Sequence, residues 1–277
     1  MWSLRRAAVE TRLSLNNCIS RQSGVNPAPA GRELIVSLTT TGRRLGKVHL
    51  VVESLLRQTR RPQRLILWLS EELGRANLPP PLLRQRQRGL ELRFRRDLGA
   101  FTKLVHALTE HPQAVIVTAD DDTLYPQTWL EQLHDSYQRQ PESVHCHRAH
   151  WIATLPNGTL APYLEWDFLA PGRTGPARRL FPTGVGGVLY PPGALHPEVL
   201  NEQVYLQLCP TADDAWFKAM ALLQGVSCAK VSPAFREFLP VRGTTAAGLY
   251  LQNWKDGVYD RQIRAVFDHY DLVRLLD

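Results

Sequence analysis

The sequence predicts an α/β protein with a mostly parallel central sheet and helices on both of its faces. Three observations lead there. Short, almost continuously apolar runs, "ELIVSL" (33–38), "RLILWL" (64–69), "LELRF" (90–94) and "AVIVTA" (114–119), have the length and content of strands covered on both sides. Segments of helical period alternate with them, as in sheets built from strand–helix–strand units. The connections, such as "TTTGRR" and the proline triplet at 79–81, are rich in turn residues.

In chain order, residues 1–31 are expected to form an N-terminal leader, partly disordered, because they end in the linker-like "SGVNPAPAG". Residues 32–277 are expected to form a single domain, divided into a half at about 32–125 and a half at about 126–277. After the first strand, Leu45, Val48, Val52, Leu55 and Leu56 recur at helical spacing, which predicts a helix over 44–58. "FTKLVHALTEH" (101–111) and "PQTWLEQLHDSYQRQ" (126–140) predict two more, the second with Pro126 where a missing N–H costs nothing. The second half is less regular, with helices expected near 213–224 and 258–270.

Composition narrows the class. The 277 residues are 44% hydrophobic and 21% charged, ordinary values for a globular protein. No apolar run reaches the roughly 18 residues a membrane span needs. Cys18, Cys146, Cys209 and Cys228 show no C-x-x-C spacing, which predicts reduced thiols and a cytoplasmic protein with no zinc site. The net charge is +7, and eleven arginines lie between Arg57 and Arg96. That stretch is either a solvated face or one that meets anionic lipid or an acidic substrate. It offers only Trp68 and Phe94 for stacking, so no nucleic-acid partner is expected.

The most informative stretch is "AVIVTADDDTLYP" (114–126). Ligands of parallel α/β sheets bind outside the carboxyl ends of the strands, which is where Asp120, Asp121 and Asp122 fall. Two carboxylates about 5 Å apart repel by on the order of 3 kcal/mol at an effective dielectric near 20. A hard divalent cation, Mg²⁺ or Mn²⁺, removes that cost. In an extended backbone Asp120 and Asp122 point one way and Asp121 the other. The competing reading is a cap for the helix near Pro126. A second acidic pair, Asp213 and Asp214 in "CPTADDAWFKAMALL", opens a helix whose apolar side carries Trp216, Phe217, Met220 and Leu223. Between the two lies "FPTGVGGVLYPPG", whose Gly184, Gly186 and Gly187 allow close backbone approach.

Taken together, "SLTTTGRR", "TADDDTLYPQTWLEQL", "PTGVGGVLYPPG" and "CPTADDAWFKAMAL" resemble, in their order, bacterial glycosyltransferases of the GT-A fold, similar to family 2, over roughly residues 33–270. The resemblance implies a metal-dependent inverting transfer from a nucleotide-sugar donor, UDP-linked, to a saccharide or lipid-linked saccharide acceptor. Thr39, Thr40, Thr41 and Arg43 would lie near the base and ribose, with Ser70 or Glu71 a loose stand-in for the family's uracil-binding Asp. Asp97 and Lys103 would approach the nucleotide, with Asp120 and Asp121 on the donor side. Asp122, with Asp120, would hold the metal, Mn²⁺ or Mg²⁺, and Gly186 and Gly187 would border the sugar. Asp214 would be the general base, supported by Asp213. His150 and His269 are lone histidines and are read as structural. Peripheral association with the inner membrane surface through the arginine-rich stretch belongs to the same expectation. Two alternatives stand beside it. A metal-dependent nucleotidyltransferase also places aspartates after a strand, although "SLTTTGRR" lacks a Gly-rich, Lys-containing phosphate loop. A basic polyanion-binding module would use the arginines and treat both acidic sites as caps.

Overall fold

The structure is a computed structural model that describes residues 2–27, 31–74, 78–244 and 257–277. Ala28, Pro29 and Ala30 of the expected linker and Arg75 of the basic stretch lie outside the described residues. The chain is an α/β protein, with a mostly parallel sheet flanked by helices. It divides into two compact units, residues 1–132 with 237–247, and residues 133–236 with 248–277.

The first unit contains β1 (Leu34–Thr39), β2 (Arg64–Ser70), β3 (Leu90–Arg95) and β4 (Val115–Ala119), all parallel, in the order β4-β1-β2-β3. Their apolar runs are continuous because Ile35, Leu38, Leu65, Ile66, Leu67 and Val117 have no exposed surface on either side. Helix α4 (Thr102–Glu110) packs on β1 and β4. Ser37, at the centre of β1, accepts the Trp68 indole N–H at 2.7 Å and donates to the Lys103 carbonyl. That one hydroxyl satisfies two buried groups and fixes where α4 begins.

Two elements of this unit differ from expectation. The helix foreseen over 44–58 is shorter: Gly42–Lys47 is a run of turns, and α2 is Val48–Leu55. The Thr41 carbonyl accepts from both Arg44 and Leu45, so the chain winds tightly before the helix proper. The expected leader contains a helix, α1 (Trp2–Ile19), packed on α2 and on α3 (Pro80–Arg86). Burying Leu13 contributes about 2 kcal/mol. The rest of the contact is polar. The Asn16 amide donates to Glu53, and Arg84 donates to the Asn17 side chain at 3.0 Å. Glu53, wholly buried, is held by both nitrogens of the Arg88 fork and by Gln85. An inner side made of asparagines carries little hydrophobic periodicity, so the sequence pattern conceals this helix.

A short strand β5 (Thr123–Leu124) follows the acidic triplet, and α5 (Trp129–Arg139) starts three residues after Pro126.

In the second unit β6 (Val144–Cys146) pairs with β10 (Cys228–Lys230) in parallel and with β9 (Val188–Tyr190) antiparallel. A separate antiparallel pair joins β7 (Ala149–Trp151) and β8 (Leu180–Pro182). Helix α7 (Asp213–Leu223) packs on β8 and on α8 (Val258–His269), and α6 (Glu202–Leu208) also meets α8. Trp216, Phe217 and Met220 are buried as the spacing foresaw, with Leu222 in place of Leu223. Strand β11 (Leu239–Pro240) returns to the first unit and pairs with β5.

Candidate functional site

The acidic triplet lies at the carboxyl end of β4, beside the carboxyl end of β1, to which β4 is hydrogen-bonded. The chain leaves extended geometry at Ala119, and Asp121 and Asp122 sit in a turn. The alternation expected of a strand therefore fails. Asp121 is not turned away; it is the most buried of the three. One of its oxygens accepts from the Thr40 hydroxyl at 2.6 Å and the other from Arg44 at 2.5 Å. Arg44 reaches Asp122 with its other nitrogen, at 3.1 Å. Lys103, almost buried at the start of α4, donates to Asp120 at 2.8 Å. The Asp120 backbone N–H donates to the Tyr125 hydroxyl at 2.8 Å. Burial and the adjacent Asp120 charge raise that phenol far above its ordinary range, so it stays protonated.

The electrostatics of the three carboxylates differ accordingly. Burial disfavours the charge on Arg44, but Asp121 and Asp122 outweigh it and hold the guanidinium above its usual value. The Asp122 carboxyl is raised to about 6, first by burial and then by Asp120, against the pull of Arg44. Arg44 is the residue that sequence reasoning missed. It follows Arg43, and a doubled arginine gives no sign of which side chain turns inward. Arg43 is exposed.

Other expected positions serve their own loops. The Thr39 hydroxyl donates to the Trp68 carbonyl at 3.2 Å, and Thr41 acts through its backbone. Ser70 caps the turn after β2 by accepting from the Glu72 N–H at 3.3 Å, and Glu71 is an exposed residue of that turn. Asp97 accepts from the Gly99 N–H at 2.8 Å and from Thr102 at 3.3 Å, which caps the approach to α4. Thr40, Arg44, Asp121 and Asp122 are joined by side-chain contacts, and Lys103 with Asp120 makes a second pair at the same strand end.

In the second unit, Asp213 and Asp214 occupy the first turn of α7, where the positive end of the helix favours them. Both oxygens of Asp214 accept from the Gly184 N–H, at 3.1 and 3.0 Å. That contact ties α7 to the 3-10 turn Gly184–Gly186. A Cβ at Gly186 would lie 2.9 Å from that of Arg148, and Gly187 has φ 82°, so both positions need glycine. Arg148 donates to Thr183 at 2.7 Å, just before the turn. His150 is wholly buried. Its Nδ1 accepts from the Leu169 N–H at 2.9 Å, and burial, then Arg148 and Lys230, lower it to about 3. His269 is exposed and rests edge-on against Tyr270.

Among the described residues, four of the eleven arginines of the basic stretch are paired with carboxylates. Arg64 bridges Glu33 and Glu91, Arg88 pairs with Glu53, Arg93 with Glu91, and Arg95 with Glu110. No helix among the described residues is long and apolar enough to cross a membrane. Nor do the described residues hold a group of three or more His, Cys, Asp or Glu arranged to bind a metal.

No family model matches this chain, and no curated protein matches it. Solved structures do. One is the CMP:2-keto-3-deoxy-manno-octonic acid synthetase complexed with CTP, 13% identical, covering 72% of this chain and 88% of its own, with a TM-score of 0.43. A second is 4-diphosphocytidyl-2C-methyl-D-erythritol synthase, 10% identical, covering 81% and 98%, with a TM-score of 0.46. A third is the inositol-1-phosphate CTP transferase from T. maritima, 13% identical, covering 87% and 98%, with a TM-score of 0.45. These likenesses concern the fold. They correct the glycosyltransferase expectation, because all three proteins are synthetases, synthases or transferases of another kind and none is a glycosyltransferase.

Proposed function

We propose that this chain is a metal-dependent nucleotidyltransferase, which joins the nucleotidyl group of a nucleoside triphosphate to an acceptor oxygen and releases pyrophosphate. One observation carries the reading: three carboxylates and two cations, Arg44 and Lys103, meet at the carboxyl ends of adjacent parallel strands. A polyphosphate needs both kinds of group. The donor set suits Mg²⁺ or Mn²⁺, since such ions are commonly held by one or two carboxylates, with substrate phosphates and water completing the shell. Asp120 and Asp122 would be those carboxylates. The Asp122 carboxyl is raised first by burial and then by Asp120, and a bound cation would relieve the second of these. When bound, the metal would polarise the phosphates.

The chain's own residues do the rest. Asp121, gripped by Thr40 and Arg44, keeps the guanidinium at the end of β1. Lys103, anchored through its carbonyl to Ser37, points its ammonium at Asp120. Once the carboxylates meet a cation, Arg44 and Lys103 can turn their charge to the phosphates. As an acceptor oxygen bonds to the α-phosphorus, the bond to pyrophosphate breaks and its negative charge grows. Lys103 and Arg44 stabilise that charge. The polyanion-module reading is the weaker one, because Arg64, Arg88, Arg93 and Arg95 of the stretch it needs are paired with carboxylates.

The test is direct. The protein, each of the four nucleoside triphosphates and Mg²⁺ or Mn²⁺ are combined with a panel of phosphorylated and sugar-acid acceptors, and pyrophosphate is measured. Calorimetry measures triphosphate binding alongside. Metal-dependent binding lost in Asp122→Ala supports the assignment. No binding of any triphosphate, with or without metal, sinks it.

A further inference from the structure

Helix α1 presents a second surface, unconnected with the acidic site. Its inner side carries Leu13 and Asn17, both buried. Its outer side carries Leu4, Leu15 and Ile19, exposed by 78%, 60% and 76%. At about 100° per residue, Leu4, Ala8, Leu15 and Ile19 fall within one narrow stripe along the helix. Large apolar side chains this open, aligned on one face, are unusual on a globular surface and mark an interaction site.

Charge identifies the partner. Arg5 and Arg12, both exposed, line one edge of the stripe, and neither is in an ion pair among the described residues. The helix has one acid, Glu10, which lies on the far side and accepts from the Arg242 backbone N–H. The outer face is therefore apolar and cationic, with no acidic residue. Beside it, α3 adds an exposed Leu83 and an exposed Arg86.

We infer that this face lies on an anionic lipid surface, with Leu4, Leu15 and Ile19 in the acyl boundary and Arg5 and Arg12 at the headgroups. A shallow stripe suits a helix lying in an interface. A protein partner would need a broader patch, since stable interfaces bury about 800 Å² per side. The inference does not depend on the nucleotidyltransferase reading. It places membrane contact on the N-terminal helix.

The test is flotation of the full chain with phosphatidylcholine vesicles, with and without phosphatidylglycerol. Flotation should require the anionic lipid and weaken as salt rises. Leu15→Ser with Ile19→Ser, and separately Arg5→Glu with Arg12→Glu, should each cut the partition coefficient on the order of tenfold. These side chains are exposed, so the melting temperature should hold. Absence of flotation on anionic vesicles overturns the inference, as does equal flotation of the variants. Self-association abolished by Leu15→Ser with Ile19→Ser, without lipid binding, would overturn it in favour of a second copy.

Discussion

The two acidic sites look alike in sequence and meet different groups in the structure. In the first unit, Asp120–Asp122 follow a strand and are met by side-chain cations and a hydroxyl. In the second, Asp213 and Asp214 open a helix, and Asp214 is met by a backbone N–H. A carboxylate facing mobile cations can exchange them for a metal and a polyphosphate. The Asp214 contact with the Gly184 N–H holds a turn in place. Clustered acids therefore do not define a site; their partners do.

Breaking the first site should have the largest effect. Asp122→Ala should lower metal-dependent pyrophosphate release by on the order of 10²–10³-fold, in the range for lost electrostatic stabilisation of a transition state. Its urea midpoint should not fall, because the carboxyl it removes is already disfavoured as an anion. A parallel loss of stability would make Asp122 structural and blur the contrast.

Asp121→Ala should act the other way. It leaves Arg44 and Thr40 without their buried partner, so it should cost about 3 kcal/mol, read by urea denaturation.

pH sharpens the comparison because the two units respond with opposite sign. His150 is lowered to about 3 in the folded chain, against an ordinary value near 6.5. Between those values the unfolded chain binds the proton that the folded one refuses. Stability from this group is complete above pH 6.5 and lost on acidification, at up to about 1.4 kcal/mol per pH unit. Asp122 is raised from 3.8 to about 6. Its contribution is complete below 3.8 and lost as pH rises towards 6. In metal-free buffer, unfolding followed from pH 4 to 7 should show Asp122→Asn gaining stability at the upper end. His150→Phe should flatten the acid limb. Matching pH curves for both variants and the parent would remove the distinction.

The smallest effect is expected at Asp214. Asp214→Ala leaves the Gly184 N–H without its acceptor and should cost about 1 kcal/mol. Asp214→Asn keeps an acceptor and should restore most of that. A loss of activity like that of Asp122→Ala would place the residue in the chemistry after all.

Much of this protein is local and was legible. The four strands of the first unit and helices α4, α7 and α8 follow from apolar period and turn residues, since burying those side chains leaves few other arrangements. The place of the acidic triplet follows too, because a strand must end where its apolar run ends. Three things needed the tertiary structure. Helix α1 rests on asparagines whose partners, Glu53 for Asn16 and Arg84 for Asn17, only the fold supplies. Arg44 rather than Arg43 turns inward because the loop after β1 winds back before α2. Asp121 became the buried member because the chain turns at Ala119, and an extended pattern no longer says where a side chain points. Periodicity reports which side of an element is covered; which charge meets which is decided by segments far apart in the chain.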